Sequence, residues 1–129
     1  MAKLLIIDDM ATDRMVLRSF LSSRPYEIVE AIDGEMGIAL CQSEQPDLVL
    51  LDIVMPKMDG FQVCRKIKKD PLTAHVPVIL ISSKGQDSDK FWGMKQGATE
   101  YLTKPCSQEG FIQPARWASS SLKWSKTLT

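Results

Sequence analysis

Five residues of this sequence carry types and positions that could do chemistry together. Asp8 and Asp9 close the apolar run 4–7, Asp52 closes the run 48–51, Ser82 closes the run 78–81, and Lys104 follows a weaker run at 100–103. Three crowded carboxylates repel one another and remain ionised at neutral pH only with a cation among them. Oxygen ligands with retained waters suit Mg²⁺, which dehydrates reluctantly and takes one or two carboxylates plus phosphate oxygens. A carboxylate beside Mg²⁺ can act as a nucleophile on a phosphoryl group and become an aspartyl-phosphate. A lysine ammonium opposite the metal would hold one phosphoryl oxygen as a point charge, and a serine hydroxyl would donate to another. Brought to one place, these residues make a phosphoryl-accepting site.

The elements around them say how they could meet. Short runs of β-branched and aliphatic residues without alternation, as at 4–7, 48–51 and 78–81, suit strands covered on both faces. Residues 27–32 and 100–103 are weaker strand candidates. Helical pattern lies between them. Thr12 or Asp13 can cap a first helix that buries Val16, Leu17, Phe20 and Leu21, and Pro25 stops it. Asp33-Gly34 opens a second with Ile38, Ala39 and Cys41 toward a core. Asp59-Gly60 opens a third with Phe61, Cys64 and Ile67, and residues 87–97 read as a fourth.

Strands alternating with helices imply right-handed crossovers and a parallel sheet. The expected fold class is α/β: a flavodoxin-like, doubly wound (βα)5 domain with a central five-stranded parallel sheet in the order 2-1-3-4-5. Such sheets bind ligands at the carboxyl ends of their strands, where Asp8, Asp9, Asp52, Ser82 and Lys104 should converge. A lone Asp after a strand is more often a turn or cap, the class to which Asp13, Asp33, Asp47 and Asp59 are assigned.

Composition narrows the class. A chain of 129 residues fits one domain. Lys+Arg and Asp+Glu are both 16, so there is no basic excess of the kind a nucleic-acid binder carries. Cys41, Cys64 and Cys106 are odd in number and form no CxxC pair, as expected of reduced thiols in a cytoplasmic protein. The apolar stretch that ends at Asp8 is too short for a signal-peptide core or a membrane-inserted span. His75, the only histidine, precedes Val76-Pro77 and reads as a surface loop residue.

The motifs resemble the receiver domain of two-component response regulators, the group that includes the chemotaxis regulator CheY. The resemblance covers about residues 3–106. It rests on Leu5-Ile6-Ile7-Asp8-Asp9, on Leu50-Leu51-Asp52-Ile53-Val54-Met55-Pro56-Lys57-Met58-Asp59-Gly60, on Val78-Ile79-Leu80-Ile81-Ser82 and on Tyr101-Leu102-Thr103-Lys104-Pro105. It implies that Asp52 is the phosphoacceptor and that Asp9 and Asp52 ligate Mg²⁺ directly. The backbone carbonyl of Val54 would be a further ligand, and Asp8 would act through metal-bound water. Lys104 would contact the phosphoryl group, Ser82 would be the switch hydroxyl and Tyr101 the switch aromatic. It further implies a histidine kinase as phosphoryl donor and a downstream protein bound at the face of the fourth helix, fifth strand and fifth helix. The stretch 89–98, leading into Tyr101-Leu102-Thr103-Lys104-Pro105, is similar to the PilH type of receiver, from chemotaxis-like pathways that control pilus motility or phototaxis.

The C-terminal region departs from the family pattern from about residue 107. Gly110 and Pro114 fall where a fifth helix belongs, and an interior proline costs about 3 kcal/mol or more. As a helix it would bury Phe111, Ala115, Ala118 and Leu122 and set Trp117 and Trp124 on the opposite side, which suggests a homodimer or partner contact. The expected organisation is one receiver domain over 1–129, acting as a stand-alone switch. A phosphate sink and an unphosphorylated pseudo-receiver are the alternatives. Aspartyl-phosphate hydrolases carry a second Asp two residues after the nucleophile. Here that position is Val54, so a self-modifying switch is expected and not a turnover enzyme.

Overall fold

The structure, a computed structural model, describes residues 1–22 and 25–104. Its elements alternate strand and helix: β1 (Lys3–Ile7), α1 (Ala11–Leu21), β2 (Glu27–Ala31), α2 (Gly34–Glu44), β3 (Leu48–Asp52), α3 (Gly60–Lys69), β4 (Val78–Ser82), α4 (Asp87–Lys95) and β5 (Glu100–Thr103). All strands pair in parallel in the order β2-β1-β3-β4-β5, the α/β arrangement expected from the sequence. The expected fifth helix, Phe111, Pro114, Trp117, Trp124 and the homodimer contact drawn from them lie outside the described residues. Among the described residues, no helix is long and apolar enough to cross a membrane.

The unalternating apolar runs are explained by two cores, one on each face of the sheet. Leu5, Ile7, Val49, Leu51, Val78, Leu80 and Tyr101 join Cys41 of α2 and Val63, Cys64 and Ile67 of α3. Leu4, Ile6, Leu48, Leu50, Ile79 and Ile81 join Leu17 and Leu21 of α1. Because strand side chains alternate between faces, the even positions of β1 and β3 face α1 and the odd ones face α2 and α3.

Two helix faces differ from the expectation. Val16, expected in the core, is exposed; α1 is anchored by Leu17 and Leu21, with Phe20 partly buried. Ala39 is also exposed. The buried stripe of α2 is Gly34, Gly37 and Cys41, and a Cβ at Gly37 would lie 2.5 Å from Cδ1 of Ile7. Hydropathy cannot register a helix face chosen for lack of side chain. Phe61, Cys64 and Ile67 face inward on α3 as expected, the first only partly buried.

Helix starts follow local chemistry in two cases and not in a third. Asp33 accepts a hydrogen bond from Met36 N (2.8 Å), and Asp59 forms a capping box with Gln62 (3.0 and 3.1 Å). Asp47 accepts from the Lys3 backbone N–H at 2.7 Å, joining the start of β3 to β1. Neither Thr12 nor Asp13 caps α1: the helix starts at Ala11, and Met10 occupies the cap position without a side-chain bond. His75 is exposed in the loop before β4.

Candidate functional site

Strand register brings the acidic residues together. Ile7 pairs with Leu51, so Asp8 and Asp52 stand side by side at the carboxyl ends of adjacent strands. Thr103 pairs with Ser82, which sets Lys104 just past the end of β4. Alternation then sorts the side chains. Asp8, Asp52 and Lys104 share parity with the α1-facing positions, while Ser82 and Tyr101 share parity with the opposite face.

Lys104 Nζ lies at the junction, donating to Asp13 Oδ2 (2.8 Å), Asp8 Oδ2 (3.1 Å) and Asp52 Oδ1 (3.2 Å). Side-chain exposure is 1 % at Asp8 and 7 % at Asp52, but 37 % at Asp13. Asp8 also accepts from Met10 N through Oδ1 (2.9 Å), and its backbone carbonyl accepts from Arg14 Nη1 (2.7 Å). Asp13 is the residue that sequence reading missed. As the third residue of α1 its carboxylate turns back to the sheet edge, a placement set by helix phase.

Electrostatics match this crowding. Burial pushes the Asp52 carboxyl up to about 6, with the neighbouring Asp8 charge adding to the shift and Lys104 opposing it. Burial likewise raises the Asp8 pKa against its bonds to Met10 and Lys104. At Lys104 burial disfavours the charge, yet the bond to Asp13 and the charges of Asp52 and Asp8 outweigh it and hold the ammonium above the ordinary lysine range. One ammonium therefore does not fully compensate these carboxylates, and the site favours a further cation.

Asp8, Asp9 and Asp52 each offer an oxygen, and those atoms lie within 4.8 Å of one another. Asp9 is the exposed member. A hard, oxygen-only donor set fits a cation such as Mg²⁺ and not a thiophilic metal. Val54, two residues past Asp52, is 53 % exposed. Gly60 lets the chain pass behind Asp52: a Cβ there would sit 2.3 Å from the Asp52 carbonyl oxygen, and its own N–H donates to Ile53 O at 2.9 Å.

Ser82 and Tyr101 form a second cluster on the other face. Ser82 is fully buried; its hydroxyl accepts from Lys84 N (3.1 Å), and its carbonyl accepts from Lys104 N (2.7 Å). Tyr101 points inward, 7 % exposed, and its hydroxyl donates to the Lys84 carbonyl. Of the expected site residues, Asp8, Asp52 and Lys104 are in direct contact and Asp9 joins the acidic group. Ser82 and Tyr101 are linked to each other through the loop after β4.

Comparison with known proteins agrees with this geometry. The family described as response regulator receiver domain matches residues 4–116. Protein PilH of Pseudomonas aeruginosa is 43 % identical over 113 residues, covering 88 % of this chain and 93 % of PilH. Among solved structures, chemotaxis protein CheY4 of Vibrio cholerae superposes with a TM-score of 0.79 at 29 % identity, covering 85 % of this chain and 92 % of that one. The CheX-CheY-BeF3-Mg+2 complex from Borrelia burgdorferi gives 0.81 at 27 % identity, over 92 % and 87 %. With the parallel sheet in the order 2-1-3-4-5 and an acidic triplet at its carboxyl edge, the chain belongs to the response regulator receiver domain family.

Proposed function

We propose that this chain is a Mg²⁺-dependent phosphorylation switch in which Asp52 takes a phosphoryl group from the phosphohistidine of a histidine kinase. The observation that carries the reading is the Asp52 carboxylate, buried at the sheet edge within 3.2 Å of Lys104 Nζ and grouped with Asp8 and Asp9. An Asp52 oxygen forms the bond to phosphorus as the phosphorus–nitrogen bond to the donor imidazole breaks, and the imidazole keeps that electron pair. Asp9, Asp52 and the Val54 backbone carbonyl would hold Mg²⁺, with Asp8 reaching it through water. Bound there, the ion would offset the charge of the carboxylates and of the phosphoryl oxygens.

Lys104 transfers one of its hydrogen bonds to a phosphoryl oxygen. Ser82 donates to another after its loop moves, and Tyr101, bonded to that loop at the Lys84 carbonyl, couples the movement to the α4–β5 face. Phosphorylation biases a pre-existing equilibrium in this reading. Phe91, Trp92 and Met94 of α4 are exposed and supply apolar contacts for a downstream protein. One receiver domain over the chain, working in the cytoplasm, is the organisation that goes with this reading. The likeness to PilH over most of both chains supports the chemotaxis-like control of pilus motility or phototaxis that the sequence resemblance implies.

The test is intact mass spectrometry with acetyl phosphate, with and without Mg²⁺, beside Asp52→Asn. A single Mg²⁺-dependent phosphoryl adduct, absent from the variant, is expected. No adduct, or an adduct that survives in Asp52→Asn, would overturn the assignment.

A further inference from the structure

Lys104 serves the phosphoryl-accepting reading only if it does not block the metal, and the structure holds it against two of the carboxylates that reading needs. All three of its donors are engaged, and the shortest bond goes to Asp13, at 2.8 Å against 3.1 Å to Asp8 and 3.2 Å to Asp52. Asp13 is also the most solvated of the three partners. We propose that Asp13 is a positioning residue for Lys104: its carboxylate draws the ammonium toward α1, so that the longer bonds to Asp8 and Asp52 can give way to a divalent cation.

The support is built into the first turn of α1. Arg14, beside Asp13, donates to the Asp8 carbonyl at 2.7 Å and to Glu30 Oε1 of β2 at 2.9 Å. Glu30 in turn accepts from Arg18 Nη2 at 2.8 Å. These bonds tie the helix start to the site, so Asp13 is held where it meets the lysine and is not carried on a loose loop. Without Asp13, the ammonium would settle between two buried carboxylates and compete there with the incoming cation.

This inference rests on the Mg²⁺-dependent reading, and its test is a double-mutant cycle on Mg²⁺ affinity measured by calorimetry with the metal alone. Asp13→Asn should weaken Mg²⁺ binding about three- to tenfold, because the ammonium it no longer holds then competes with the cation at Asp8 and Asp52. In a Lys104→Met background the same substitution should cost about twofold or less, because there is no ammonium left to place. An unchanged affinity in Asp13→Asn would overturn the proposal. So would equal losses in both backgrounds, which would make Asp13 act through its own charge or as a ligand. A wild-type protein that takes up no Mg²⁺ would sink the Mg²⁺-dependent reading and this proposal together. An intact wild-type site with equal losses sinks only the positioning role.

Discussion

Replacing Asp52 with Asn should stabilise the protein in Mg²⁺-free buffer. Asn keeps the size of the side chain, removes the repulsion from Asp8 and leaves Lys104 with its two shorter bonds, to Asp13 and Asp8. In the folded protein the Asp52 carboxyl titrates near about 6, against 3.8 for the free residue. Folding therefore takes up a proton between those values, and the stability from this site falls as pH rises through that window. Above it the ionised carboxylate carries a constant penalty of at most about 3 kcal/mol, roughly two pKa units at 1.36 kcal/mol each. That penalty is already net of the Lys104 contact, so a gain of about 1–3 kcal/mol is expected, roughly 3–15 °C in Tm for a chain of this size. The assay is thermal unfolding of both proteins in EDTA from pH 8 to pH 4. The gain should be full at pH 8 and nearly gone near pH 4. Saturating Mg²⁺ should shrink or reverse it by stabilising the wild type through binding. An Asn variant no more stable than wild type at pH 8, or a gain independent of pH, would refute the crowded-carboxylate account.

Four further outcomes can be checked. Gly60→Ala should cost roughly 2 kcal/mol or more, because its Cβ meets the backbone of Asp52 and Ile53, which has no rotamer with which to yield; chemical denaturation measures it, and a neutral result would mean that the chain can pass Asp52 by another route. Asp59→Ala should cost about 1 kcal/mol by removing the capping box of α3, read from the same transition with Asp33→Ala as a companion. Gly93→Ala places a methyl 2.8 Å from Cδ1 of Leu80 and 2.9 Å from Cδ2 of Tyr101, so both side chains should give way and the Tyr101 resonances should broaden or move in NMR spectra. Cys41 and Cys64 are buried with thiols pushed up to about 11 by desolvation; peptide mapping after native thiol labelling should find both unmodified, and both modified after unfolding.

The sequence by itself determined the strand ends and the residue types standing on them. Unalternating runs at 4–7, 48–51 and 78–81 suit only a sheet covered on both sides, which put Asp8, Asp52 and Ser82 on one edge, and the weaker run at 100–103 added Lys104. Asp33 and Asp59 were legible as caps because capping is decided within one turn of chain. What lay beyond local pattern was decided by packing. Gly37 was invisible to hydropathy, yet the close approach of α2 to Ile7 depends on it. Val16 looked like core, but the phase of α1 over the sheet turned it to solvent.

The division inside the site has the same origin. Side-chain type could not say that Asp8 would be nearly inaccessible and Asp9 exposed; alternation across a sheet covered by α1 did that. Asp13 has the composition and position of an ordinary first-turn acid, and only the tertiary contact of α1 with the end of β5 makes it the nearest partner of Lys104, 91 residues further along the chain. A charge pair between residues so far apart in sequence depends on the relative placement of two elements, and that placement is set by the whole buried core.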